Sequence, residues 1–283
     1  VPSDGPFTDE RRYLGMSTEI VREVAGVSIS VPQKSRPVES WFGRLWLAIP
    51  EWFVQLVGAS VMFLWLATEL PPYFRDFWKM GAFYQFADGT RIDIPWTRVL
   101  VDLNILLIGL AFICRRPAKT RATRATDVLL GLLGGWWPML PFVAVGVIAW
   151  FDPFAAAQWK LFVQSSRIGF VALITGASLI IVGNLIDVSG YATLFRSFSV
   201  VPEARELKTS GLYRIVRHPV YFGQLIAQAG VWFCFAPAHW FWWSFYAVFV
   251  ALQLWRSKRE DDVLLAAFGE PCREWQQRTF WFV

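Results

Sequence analysis

The sequence is short of what marks a secreted or metal-dependent enzyme. Its three cysteines, Cys114, Cys234 and Cys272, are too few and too scattered for a disulfide scaffold. Cys114 and Cys234 sit in apolar runs and read as small core residues. There are two histidines, His218 and His239. No cluster of His, Cys and carboxylates has metal-ligand spacing. GxSxG, a Walker loop and HExxH are all missing, so serine-hydrolase, phosphate-loop and zincin chemistry have no motif. Charge is scarce too: 17% of residues are charged, against about 25% in an average soluble domain. With hydrophobic residues at 55%, intrinsic disorder is excluded.

Apolar and aromatic side chains are abundant. There are 17 Trp and 25 Phe, and the mean hydropathy is +0.39. A charge-poor, aromatic-rich chain of this size reads as an integral membrane protein. Six stretches approach the roughly 20 apolar residues a spanning helix needs: Trp52–Ala67, Thr97–Cys114, Val128–Phe151, Ile168–Ile186, Tyr221–Ala236 and Trp240–Trp255. Pro138 and Pro141 predict a kink in the third. Pro237, Ala238 and His239 alone separate the last two, which predicts a tight antiparallel hairpin. His239 reads as an interfacial polar residue in that turn.

Val1–Arg36 has mixed charge, several Pro and Ser, and no spanning run. It reads as a polar tail without a cleavable signal peptide. Trp41, Phe42, Leu45, Trp46 and Ile49 recur at helical spacing around Arg44. They fit either an interfacial helix or an extension of the first span. The expected division is a tail over 1–40, a membrane region over 41–167 and a C-terminal core over 168–283.

Positive charge sets the expected orientation. Arg115, Arg116, Lys119, Arg121 and Arg124 follow the second span. Arg196, Arg205, Lys208, Arg214 and Arg217 lie between the fourth and fifth, and Arg256, Lys258 and Arg259 follow the sixth. The other connections mix acids with bases. The positive-inside rule therefore puts both termini in the cytoplasm. The net charge of +5 then needs no nucleic acid.

Small residues predict close helix packing in lipid. Gly169, Gly176 and Gly183 share a face of span four; Gly223, Ala227 and Gly230 share one of span five. The fold class expected is an all-α polytopic bundle of about six spans with a cytoplasmic C-terminal pocket.

Polar residues concentrate at Asp187–Tyr221 and Gln253–Trp275. Arg217-His218-Pro219 opens span five, and Pro suits a first helical turn. The free N–H groups of such a start suit a carboxylate or phosphate. A basic loop gripping lipid headgroups is the alternative. Gln253, Arg256 and Glu260 share one helix face, and Gln224 and Gln228 are one turn apart on span five. Arg256 and Glu260 also fit a plain i, i+4 ion pair. Yet charge at a membrane boundary is costly and often functional, so a polar pocket between spans five and six is expected.

The run Leu207-Lys208-Thr209-Ser210-Gly211-Leu212-Tyr213, then Arg217-His218-Pro219-Val220-Tyr221-Phe222-Gly223, resembles the isoprenylcysteine carboxyl methyltransferase family. That group is similar to phospholipid and thiol methyltransferases of membranes. The second motif reads Glu260-Asp261-Asp262-Val263-Leu264, then Phe268-Gly269, and the resemblance covers roughly Gly183 to Trp281. It implies an S-adenosylmethionine (SAM) site without a Rossmann fold. By motif, the cofactor-binding residues are Arg205, Glu206, Leu207, Lys208, Tyr213, His218, Pro219, Val220, Tyr221 and Glu260. Arg256 stands where the family ties an Arg to the acceptor; with Arg217 and His218 it completes the expected catalytic set.

The implied activity is methyl transfer to a lipophilic acceptor, with a carboxylate or thiol favoured by Arg256. Membrane lipids, and a protein partner through the N-terminal region, are the other expected contacts; nucleic acid is not. The rival readings are a non-catalytic subunit of a membrane assembly and an NADPH-dependent reductase of similar architecture. Three positions depart from the family pattern. Cys272 and Trp275 replace Tyr, which is expected to affect packing of the C-terminal helix. Phe198 stands where some relatives have a polar cofactor contact.

Overall fold

The computed structural model describes residues 20–24, 27–31, 41–164, 169–235 and 240–281. Within the expected tail, β1 (Ile20–Val24) and β2 (Val27–Val31) pair antiparallel, Ile20 opposite Val31. Their β-branched residues favour strands, so the tail is not wholly without structure. The rest of the tail, and the expected turn at Pro237–His239, lie outside the described residues.

Helix α1 (Trp41–Ala48) stops just before Pro50 and is separate from α2 (Glu51–Arg75). The residue preceding a proline is biased away from helix. This decides between the two arrangements open from sequence: α1 is its own helix, with Trp41 and Leu45 exposed. Helix α2 packs against α3 (Trp96–Cys114). An antiparallel hairpin of β3 (Ala82–Gln85) and β4 (Arg91–Ile94) joins the two.

Helices α4 (Ala125–Trp136) and α5 (Leu140–Phe151) meet at 72°. Pro138 and Pro141 stand at the break, where the kink was expected. Helix α6 (Pro153–Gln164) occupies what reads in sequence as a connection. Asp152 starts it: its Oδ1 accepts from the N–H groups of Phe154 and Ala155 at 2.9 and 3.0 Å. The core follows as α7 (Phe170–Leu194), α8 (Pro219–Phe235), α9 (Trp240–Phe268) and α10 (Glu270–Arg278).

Among the described residues, three helices are long and apolar enough to cross a membrane, α2, α3 and the α7 stretch Phe170–Ser197; the bent α4–α5 pair would make a fourth. This is fewer than the six expected. The difference lies in α8 and α9. The seventeen described residues of α8 rise about 26 Å, and residues 236–239 that follow lie outside the described residues. The apolar half of α9 is Trp- and Phe-rich, and Trp favours the interface over the hydrocarbon.

Glycines bring α7 and α8 together. A Cβ on Gly176 would fall 2.7 Å from Gly230 O, and one on Gly223 2.7 Å from Gly183 O. A Cβ on Gly183 would strike Ala227 N. The backbones thus touch along the predicted small-residue faces. Gly169 departs from the prediction: it is the N-cap of α7, and a Cβ there would meet nothing within 4 Å. Helices α8 and α9 run antiparallel. Trp232 stacks on Trp242 with centroids 4.3 Å apart, and Tyr246 Oη donates to Leu225 O at 3.0 Å.

Candidate functional site

Residues 195–218 link α7 to α8, and short turns at Phe195–Ser197 and Gly211–Arg214 shape them. Gly211 has φ +59°, and a Cβ there would sit 2.9 Å from Thr193 Oγ1. Glycine tolerates both demands, so the Gly of the LKTSGLY run is a turn requirement.

Partners outside the core hold this segment. Thr120 bridges Ala204 antiparallel. Arg205, its side chain fully buried, pairs with Glu203 at 2.8 Å and Glu51 at 2.9 Å, and donates to Arg116 O. Glu51 also takes Arg115 at 2.8 Å. Glu203 accepts from Trp46 Nε1 at 3.2 Å and faces Arg121 at 3.6 Å. Buried charges must be paired to be tolerated, and here two carboxylates serve three guanidinium groups.

A cavity of about 30 Å³ lies beneath the segment, lined by Leu194, Ser197, Glu203, Arg205, Glu206, Leu207, Lys208, Tyr213, Arg217, Glu260, Leu264 and Trp275. Seven of the expected site residues meet here: Arg205, Glu206, Leu207, Lys208, Tyr213, Arg217 and Glu260. Glu206 pairs with Lys208 and Arg116, both at 3.1 Å. The Lys208 hydrogen bond, chiefly, holds its carboxyl below the ordinary value. Burial first, then Glu260, Tyr221, Tyr191 and Asp187, push the Tyr213 hydroxyl well up.

His218, Pro219, Val220, Tyr221 and Arg256 stand beside the cavity rather than in its lining. Tyr221 Oη donates to Glu260 Oε2 at 2.6 Å. The His218 ring stacks on Tyr221 at 5.5 Å, with Nε2 3.0 Å from Asp261 Oδ1. Arg217 pairs with Asp261 at 3.1 Å. Burial opposes ionisation of Asp261, but the His218 hydrogen bond, then the charges of His218 and Arg217, hold its carboxyl below the ordinary range. Pro219 is fully buried and Val220 packs on Gly190. These two shape the helix start and do not face the cavity.

Arg256 is almost fully buried. Its Nη1 donates to Gln253 Oε1 at 2.8 Å and its Nη2 to Val200 O at 2.9 Å, while its Cζ lies 4.8 Å above the Tyr221 ring. It forms no pair with Glu260, so the plain i, i+4 ion pair is not what forms. A Cβ on Gly134 would strike Arg256 Cδ. Helix α4 therefore closes over this side chain, fixed by a two-pronged pair between Asp127 and Arg259 at 3.0 and 3.1 Å.

Sequence reasoning missed several members. Asp261 was quoted only as part of a motif, yet it partners two expected residues. Glu51 carries no local signal, because its partners Arg115 and Arg205 are distant in the chain; Glu203 pairs with nearby Arg205, but its contacts with Trp46 and Arg121 are distant too. Trp275 lines the cavity, and its Nε1 donates to Tyr213 O at 2.7 Å; Cys272 is fully buried beside it. The two departures thus serve the packing of α10, as expected. Phe198 is apolar filling, edge-on to Phe112 at 5.3 Å and to Tyr191 at 5.6 Å. Its neighbour Ser197 is the polar residue at the cavity.

Residues 171–271 match the model of the phospholipid methyltransferase family, the family of the isoprenylcysteine methyltransferase-like membrane enzymes. The match runs from α7 into α10 and includes both motifs. A search of curated proteins finds no match.

Proposed function

We propose that this chain is an integral membrane methyltransferase that transfers a methyl group from SAM to a lipophilic acceptor. The family match supports methyl transfer by a membrane protein. The observation that carries the SAM reading is that Glu260 and Tyr213, from the two motifs, line one cavity while Tyr221 and His218 stand directly beside Glu260.

These residues suit SAM chemically. Glu260, oriented by Tyr221, is an anion for the ammonium. Lys208 and Arg217 are cations for the carboxylate. Tyr213, Trp275, Leu194 and Leu264 offer flat and apolar surface for the adenine. The cavity is far smaller than a nucleoside. Entry therefore requires the half-exposed Glu206–Lys208 pair and Leu207 to swing outward.

Bound SAM supplies an activated methyl group. In-line displacement demands alignment and exclusion of water more than a strong base. Arg256 sits one turn toward the membrane from Glu260, and a guanidinium there favours an anionic acceptor, a carboxylate or thiolate. Helix α4 closes this region against water through Gly134 and the Asp127–Arg259 pair. The proposed arrangement has six spans, with α8 and α9 as a hairpin, and both termini and the cavity on the cytoplasmic side. The Arg- and Lys-rich connections 115–124 and 196–217 favour that orientation.

Calorimetric titration of the detergent-purified chain with SAM and S-adenosylhomocysteine, with NADPH as control, tests the reading. Saturable binding of the first two, lost in Glu260→Ala, is expected. Binding of NADPH alone would replace it with the reductase reading.

A further inference from the structure

Asp187 lies on α7, one turn before Tyr191, and is 5% exposed. Its Oδ1 has no hydrogen-bond partner, and no cation among the described residues lies within ion-pairing distance of the carboxyl. A carboxyl buried in this way is costly and marks a functional position by default in a membrane helix. The fold makes room for it. A Cβ on Gly223 would sit 2.6 Å from Asp187 Oδ1, so the glycine ending the RHPVYFG run vacates the space this carboxyl fills.

The nearby polar groups are arranged with one sense. Arg256 can only donate, and it donates to Gln253 Oε1. Gln253 Nε2 donates to Gln224 Oε1, and Gln224 Nε2 to Tyr191 Oη at 2.8 Å. The ladder engages the Arg256 guanidinium and leaves Asp187 without a paired cation among the described residues. Tyr191 and Tyr213 lie within electrostatic reach of Asp187, and Tyr213 lines the cavity.

We propose that Asp187 is the countercharge for a cationic group of a bound ligand, the sulfonium of SAM. This rests on the methyltransferase reading. An arriving cation stabilises the ionised carboxyl, and the ligand supplies the partner that the protein withholds.

Asp187→Asn keeps the shape and removes the charge. The full chain in detergent is titrated with SAM and with S-adenosylhomocysteine, whose sulfur is neutral. A sulfonium site predicts at least tenfold weaker SAM binding with S-adenosylhomocysteine affinity unchanged. Unchanged affinity for both ligands overturns the proposal. So does equal loss of both adenosyl ligands, which marks a purely structural carboxyl. If the wild-type chain binds neither ligand, the methyltransferase reading falls as well, which separates the two failures.

Discussion

Tyr221 and Glu260, one from each motif, are joined by a 2.6 Å hydrogen bond in which the phenol donates to the carboxylate. The His218 ring lies flat against the same tyrosine, and Arg256 covers its other neighbourhood at 4.8 Å. Tyr221 is therefore the hinge between the cavity side and the membrane side of the site.

Removing only that hydroxyl isolates its contribution. A hydrogen bond to a charged group is worth about 2 kcal/mol. Part of this should appear in cofactor affinity, so Tyr221→Phe is expected to weaken SAM binding up to about tenfold. Calorimetry on the folded variant reads this directly. Full wild-type affinity would show that Glu260 needs no orientation.

Arg256→Ala should separate acceptor use from cofactor binding. SAM affinity is expected to stay within about twofold. Transfer to an anionic lipophilic acceptor should fall at least about 100-fold, the scale of a lost charge-assisted contact. Equal loss in both assays would place Arg256 in the cofactor site instead.

Helix proximity can be tested by bulk alone. Gly183→Ala drives a methyl group into the α8 backbone and should cost about 1–3 kcal/mol, as overpacking does. Gly146→Ala, with nothing within 4 Å of the new methyl, is the matched control. Thermal unfolding followed by Trp fluorescence should rank them in that order.

The Asp261 carboxyl gives an acid-limb prediction. Its folded value is depressed, so its stabilisation is full above the unfolded carboxylate value of about 3.9. It is lost as pH falls through the lower folded value. Asp261→Asn should therefore be less stable at neutral pH and flatter in its loss below about pH 4. Parallel curves for the two proteins would remove Asp261 from the linkage.

The Asp127–Arg259 pair fastens α4 to α9. Removing one partner of a buried pair costs about 3 kcal/mol, so Asp127→Ala should destabilise the chain on that scale. It should also loosen the cover over Arg256, read as faster hydrogen exchange along α4. Unaltered exchange would mean that glycine packing alone holds the helix.

Much of the site was legible because its residues belong to two short motifs. An antiparallel hairpin then brings Tyr221 to Glu260, and Arg217 and His218 to Asp261. The packing of α7 on α8 was legible for a similar reason: glycines at helical spacing state their own face. Other features had no local trace. The pairing of Glu51 with Arg205 joins the N-terminal membrane region to the C-terminal core, and charge carries no periodicity that points to a partner. Asp187 looked like one acid ending a span; its isolation exists only once Arg256 is committed to Gln253. The span count was less readable because Trp serves hydrocarbon, interface and core alike. The α6 helix hid behind a proline and an acid, which signal a turn and a helix start equally well.

The grip of Glu51, Arg121 and Trp46 on Arg205 and Glu203 bears on where the chain can be divided. A fragment cut at residue 168 would retain the whole stretch that resembles a methyltransferase. Its Arg205 and Glu203 would keep each other but lose Glu51, Arg121 and Trp46, the partners that the first half supplies. A change of charge at position 51 likewise takes away one of the two carboxylates that hold Arg205.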